Sequence, residues 1–305
     1  MARLEFRIIT IAVLAGLLMM LPACSSKDKE AKKPQTSSQQ KAKAPEEMKS
    51  IVSDLEMIIS ELEKKIEAEK ASALQQNTKL ITQTQQEQQN QQGQGQSQQG
   101  QQGQQGQSGQ SQQSSSGDQS QAGQQNQMSA WQKEDTSIKN IHRNWNALEP
   151  EAIKSGLSTT DRDSFEQALE KLTLAIGKQK KEDSLSAAIE VYGQYANLVK
   201  TFTTTVPAEF YQLKYEVMAA VDQAMKKEWM AAQEHIPKIQ ESWTNLKVKA
   251  ESKDGKSIDR TEFSIHDLEQ ALKSEEPDLL MIKAEIVMSN LQKMQKELYK
   301  SSGGA

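Results

Sequence analysis

The chain reads as all-α: two tandem antiparallel helical-bundle modules with a disordered Gln/Gly/Ser-rich insert. Three observations predict this. Outside one polar stretch, Leu, Ala, Lys, Glu, Gln and Met dominate and aromatic residues make up only 5%, a composition that favours helix over sheet. Apolar residues recur at three- and four-residue steps, the helical period. Finally, Trp131, Ile138, Ile141, Trp145 and Leu148 return as Trp229, Ile236, Ile239, Trp243 and Leu246. Asp161, Arg162 and Phe165 return as Asp259, Arg260 and Phe263, at the same offset (229 − 131 = 98). A constant register over that many identities points to internal duplication.

At 305 residues the chain has room for about two domains. A net charge of −4 sets up no field for nucleic acid, and none is expected as a partner. Cys24 is the single cysteine, which excludes an internal disulfide or a thiolate metal cluster.

Residues 1–23 carry Arg3 and Arg7, then an apolar run from Ile8 to Leu21. At about 14 residues the run suits a signal peptide better than a spanning helix. The string that follows, Leu21-Pro22-Ala23-Cys24, resembles the lipobox of bacterial lipoprotein precursors. The resemblance implies cleavage after Ala23, diacylglycerol on the Cys24 sulfur, and a lipid-anchored chain on the extracytoplasmic face of the cell membrane. Residues 24–44 then form a tether in which Lys27, Lys29, Lys32, Lys33, Lys41 and Lys43 outnumber Asp28 and Glu30. Near an anionic leaflet each lysine adds about 1 kcal/mol of attraction; a plain solvated spacer is the alternative.

The first helix of module 1 is expected over 45–81, with Pro45, Glu46 and Glu47 suited to a helix start. Its stripe is Met48, Ile51, Leu55, Ile58, Ile59, Leu62 and Ile66, echoed after Pro207 at a register of 162 (207 − 45). Residues 82–128 are almost wholly Gln, Gly and Ser and have nothing to bury, so a disordered linker is expected. The rest of module 1 covers 129–205. Ser129 with Gln132 fits a capping box for the Trp131 helix, which Gly156 ends. Thr160 or Asp161 caps the next helix (Phe165, Leu169, Leu172, Ile176), and a third starts near Asp183.

Module 2 covers 206–300, with a tail at 301–305. Its first helix either breaks at Glu228-Trp229 or runs on, since no glycine or proline marks a turn there. Pro237 should kink the Trp229 helix or mark a first turn. Asp259 with Glu262 fits a second capping box ahead of Phe263, Ile265, Leu268 and Leu272. Pro277 opens the last helix, with Leu280, Ile282, Ile286, Leu291 and Leu298 as its apolar positions.

The heptad spacing of Trp131, Ile138 and Trp145 makes the tryptophans core anchors of a helix seam rather than a stacking platform for ligand. Trp229 and Trp243, Ile258-Asp259 with Phe263, Leu268 and Leu272, and the turn over 274–278 also give residues 229–294 a resemblance to a family of small, uncharacterised bacterial helical proteins. That resemblance implies a fold and no activity.

Nucleophile triads, phosphate loops, dinucleotide fingerprints and the His-Glu-x-x-His zinc motif are absent from the sequence. His142 and His235 fall opposite Gln240 and Ser137, unlike a duplicated site. Glu262, His266 and Glu269 lie at i, i+4 and i+7 on one helix face, a start for a divalent metal site. The His-x-x-Glu spacing is similar to that of imelysin-like iron-associated lipoproteins, without the glycine that precedes their motif. The expectation is a membrane-anchored, non-enzymatic surface lipoprotein that needs no cofactor. It would bind or organise a protein or cell-wall polymer; the alternative is a metal-handling bundle built on His266 with Glu262 and Glu269.

Overall fold

The computed structural model describes residues 41–92, 130–250 and 255–299. Cys24, the signal segment, most of the tether, the insert beyond Gln92 and the tail lie outside the described residues. Within them the chain is all-α, with one isolated bridge between Lys43 and Thr203.

The first bundle contains α1 (Glu46–Gln92), α2 (Gln132–Lys154), α3 (Thr159–Gly177) and α4 (Lys181–Val199). The second contains α5 (Ala208–Met225), α6 (Trp229–Gln233), α7 (Ile236–Ala250), α8 (Gly255–Ser274) and α9 (Pro277–Leu298). In the first, α1 lies beside α2 and α4, and α3 closes the square against α2 and α4. The second repeats this, with α5 beside α6, α7 and α9, and α8 beside α7 and α9. Helix α4 also packs on α5, so one apolar cluster runs through both bundles.

Burial follows the expected stripes where the first helices are concerned. Met48, Ile51, Leu55, Ile58 and Leu62 are buried, as are their partners 162 positions on: Phe210, Leu213, Val217, Ala220 and Ala224. The tryptophan seam is regular in the first copy, where Trp131, Ile138, Ile141, Trp145 and Leu148 are buried. In the second Ile239, Trp243 and Leu246 are buried, but Trp229 and Ile236, on either side of the break between α6 and α7, are half-buried.

The third helices depart from the 98 register. Phe165 is 1% exposed, whereas Phe263 is 73% exposed. Shifting the register to 96 restores the match: Phe165, Leu169, Leu172 and Ile176 fall on Thr261, Ile265, Leu268 and Leu272, all buried. Two residues are missing between Ala250 and Thr261 relative to Ala152 and Phe165 (261 − 250 = 11; 165 − 152 = 13). Two residues turn a helix by about 200°, which carries Phe263 from the core face to the outside. The Asp-Arg-x-x-Phe echo is therefore out of structural register. Helix starts agree with the shift, since Gly255 and Pro277 stand 96 positions after Thr159 and Lys181.

Several helix ends differ from expectation. Helix α1 continues through Gln92, past residue 81, into the stretch expected to be disordered. Trp131 itself is the N-cap of α2, with no side-chain cap. Ser158 caps α3, accepting from the Asp161 backbone N–H at 3.0 Å. Helix α8 begins ahead of Asp259, so the Asp259–Glu262 pair lies inside it rather than capping it. Ile282 and Ile286 on α9 point outward, at 56% and 43% exposure.

The open question at Glu228-Trp229 resolves as a break. Lys227 takes φ 65, and the Lys227 and Glu228 N–H groups bond back to Ala224 and Gln223, closing α5 as glycine usually does. Pro237 sits in the first turn of α7, where its missing N–H costs nothing. Gln179 and Glu275, 96 apart, both take left-handed φ (56 and 57), ending α3 and α8 in the same way.

Helix α4 approaches α5 closely because Gly193 lacks a side chain. A Cβ there would lie 2.6 Å from the Tyr215 ring. Beside this contact Tyr192, Tyr195 and Tyr211 cluster, with Tyr192 OH donating to Glu56 and Lys214 over the Tyr192 ring. Gly193→Val should cost about 1–3 kcal/mol in urea unfolding, and less in a Tyr215→Ala background.

Burial, reinforced by the Glu56 charge, pushes Tyr211 up to about 12 and Tyr192 well above its ordinary value. Burial also raises Tyr195, Tyr215 and Tyr299, so all five tyrosines are shifted upward. Above pH 10 the unfolded chain loses phenolic protons that the native state keeps. Stability is therefore intact below that pH and falls as pH climbs towards 12 and beyond. Phenolate absorbance should show tyrosine titration displaced upward in the folded chain, with Tyr211 at about 12.

Candidate functional site

The three residues with metal-ligand spacing all lie on α8 but have separate surroundings. Glu262 accepts two hydrogen bonds from Lys247 Nζ, at 2.8 and 3.0 Å. Glu269 is buried against α7 and accepts from Gln240 Nε2 at 3.0 Å. His266 is exposed. Among the described residues no group of three His, Cys, Asp or Glu side chains converges as a metal would require. Cys24 lies outside the described residues.

Glu269 belongs instead to a repeated strut. In the first bundle His142 Nε2 meets Thr173 Oγ1 at 2.8 Å. Gln240 and Glu269 occupy the same places, 98 and 96 positions on. Each bundle thus has a polar bridge between these two helices at this place, made from unlike residues. The histidine that matched nothing in sequence has an equivalent role here.

The tryptophans show a sharper difference. Trp145 packs 4.4 Å from the Phe165 ring and its Nε1 donates to Glu166 at 3.3 Å. Thr261 replaces Phe165, and Glu262, which stands where Glu166 would be, is held by Lys247. Trp243 Nε1 is then buried without a hydrogen-bond partner. Such an orphaned donor carries a desolvation cost.

Two buried polar contacts escaped the sequence reading. His235 Nδ1 and Glu216 Oε2 lie 2.6 Å apart, Gln212 donates to Glu216 at 2.7 Å, and the Tyr215 ring stands edge-on to the imidazole. In the first turn of α2, Glu134 is fully buried and paired with Lys65, whose ammonium lies 5.0 Å from the Trp131 ring. The helix N-terminus favours a carboxylate there. Spacing could not reveal either, because the partners come from helices far apart in sequence. An open depression of about 280 Å³ lies on α9, lined by Ile282, Glu285, Ile286, Ser289, Asn290 and Lys293.

Replacing each tryptophan by phenylalanine separates a packed anchor with a bonded N–H from one without. Trp145→Phe should destabilise the chain by about 1 kcal/mol more than Trp243→Phe in urea titrations, because only the first loses a hydrogen bond. Equal costs would show that the Glu166 contact adds nothing. Comparison with known proteins adds no relative: no family model, curated protein or solved structure matches the chain.

Proposed function

We propose that the chain is a lipid-anchored lipoprotein on the extracytoplasmic face of the cell membrane, acting as a non-enzymatic binding or scaffold protein of the envelope. The observation that carries this is Cys24. It is the single cysteine of the chain and directly follows an apolar run and Leu21-Pro22-Ala23. Two acyl chains give stable anchoring where one is marginal. No helix among the described residues is long and apolar enough to cross a membrane. A binding or scaffold role draws support from where the polar chemistry goes: Glu262, Glu269, His142 and His235 serve contacts between helices. The partner on this reading is a protein or a cell-wall polymer presented above the membrane.

Metabolic labelling with a palmitate analogue tests the anchor. The wild-type chain should carry label and sediment with membranes, and Cys24→Ser should lose both. Label retained by Cys24→Ser, or an unlabelled wild-type chain, would overturn the reading.

A further inference from the structure

We propose that α9 is a self-association face, on which a second copy of the chain docks its own α9 antiparallel, about a two-fold axis near Ser289. The inference starts from the interface between the two bundles. Helix α4 meets α5 through Ser186, whose hydroxyl donates to Asp222 at 2.8 Å, and through Gly193 against the Tyr215 ring. Glu190, one turn from each, lies near enough for its charge to help raise the Tyr215 hydroxyl, while its carboxylate pairs with Lys171 of α3. In the 96 register these three positions become Ile282, Ile286 and Ser289 (186 + 96 = 282; 193 + 96 = 289). They line the α9 depression. The surface by which the first bundle takes the second is thus presented again at the free end of the second, with a small residue kept at the point of closest approach.

The two ends of this array are not alike. The residues of α5 that meet α4 include Tyr211, Tyr215 and Asp222. On α1 the matching positions, 162 earlier, are Lys49, Ser53 and Ser60. All three are polar, as suits a terminal repeat that must stay soluble. Helix α9 has the reverse character, with two isoleucines exposed on one face. A head-to-tail chain of copies would set those isoleucines against the polar α1 stripe. Pairing α9 with α9 sets like against like and closes the assembly at two.

The order of residues along α9 is complementary to itself. About Ser289, Glu285 and Lys293 stand four positions either side, so antiparallel pairing brings each carboxylate to the other copy's ammonium, twice. Ile282 and Lys296 stand seven positions either side, so each isoleucine lies along a lysine stem whose charge remains in water. Positions 282, 289 and 296 are seven apart and so lie along one face of α9, with Ile282 its apolar member and Ser289 at the axis. A single helix pair is a small interface, so association is expected at about 10–100 µM.

Sedimentation of the full-length chain carrying Cys24→Ser should show a concentration-dependent dimer. Adding Ser289→Cys should give a disulfide-linked dimer under mild oxidation. Ile282→Glu with Ile286→Glu should abolish both while leaving the helical circular dichroism unchanged, since both positions are exposed. A chain that stays monomeric at 100 µM would overturn the proposal. So would a dimer that persists in the double glutamate variant, which would place the contact elsewhere, for example in the apolar leader. Crosslinks between Ser60→Cys and Ser289→Cys in place of symmetric ones would mean head-to-tail contact and also overturn it.

Discussion

The close packing of α4 against α5 is the constraint on which the rest depends. Helix α4 serves two bundles at once. It completes the square of the first with α1 and α3, and it supplies the surface on which the second is built. Where α4 comes closest to α5 it is narrow, at Gly193, and the Tyr215 ring fills the space. Along the rest of it small residues (Ser184, Ala187, Ala188, Ala196) alternate with the buried Tyr192 and Tyr195, which pack with Tyr211 of α5. Close-packed interiors do not tolerate extra volume where backbones nearly touch. Two bundles therefore behave as one body with a continuous core, rather than as beads on a string.

How much of this was legible in the sequence depends on which helix is considered. The stripes of α1, α2 and α3 predicted their buried faces, with Ile66 at the far end of the α1 stripe only half-buried, because periodicity reports directly on which side of a helix meets the core. The third helix of the second bundle was misread through a coincidence. Asp259, Arg260 and Phe263 repeat Asp161, Arg162 and Phe165 in sequence, yet two missing residues in the preceding connection rotate them out of place. Alignment by identity cannot see a rotation. Burial can, and Phe263 shows it.

The turns were legible only where special residues mark them. Pro207 and Pro277 stand at helix starts and Gly156 at a helix end, as expected. Lys227, Gln179 and Glu275 adopt left-handed backbone without being glycine, so residue type did not mark the stop, although Glu275 lies in the turn expected over 274–278. The candidate metal residues all lie on α8, and neighbouring helices that spacing does not describe give Glu262 and Glu269 different partners. For the same reason the pairs His235–Glu216 and Lys65–Glu134, whose members come from different helices, had no local signature. Equivalent places in the two bundles preserve the kind of contact, polar strut or buried anchor, more faithfully than the residue that makes it.

The bridge at Lys43 gives the chain a defined point of entry. Thr203 N–H donates to the Ala42 carbonyl at 2.8 Å, Ala44 N–H donates to the Thr203 carbonyl at 3.1 Å, and Lys41 Nζ reaches the Lys200 carbonyl. These bonds tie the approach to α1 to the connection between α4 and α5. Tension arriving from the N-terminal side meets this clamp before it meets the first helix. The strain is delivered to the junction of the two bundles, where α4 packs closely on α5. Pulling would have to shear several bonds together there, instead of peeling α1 away one turn at a time.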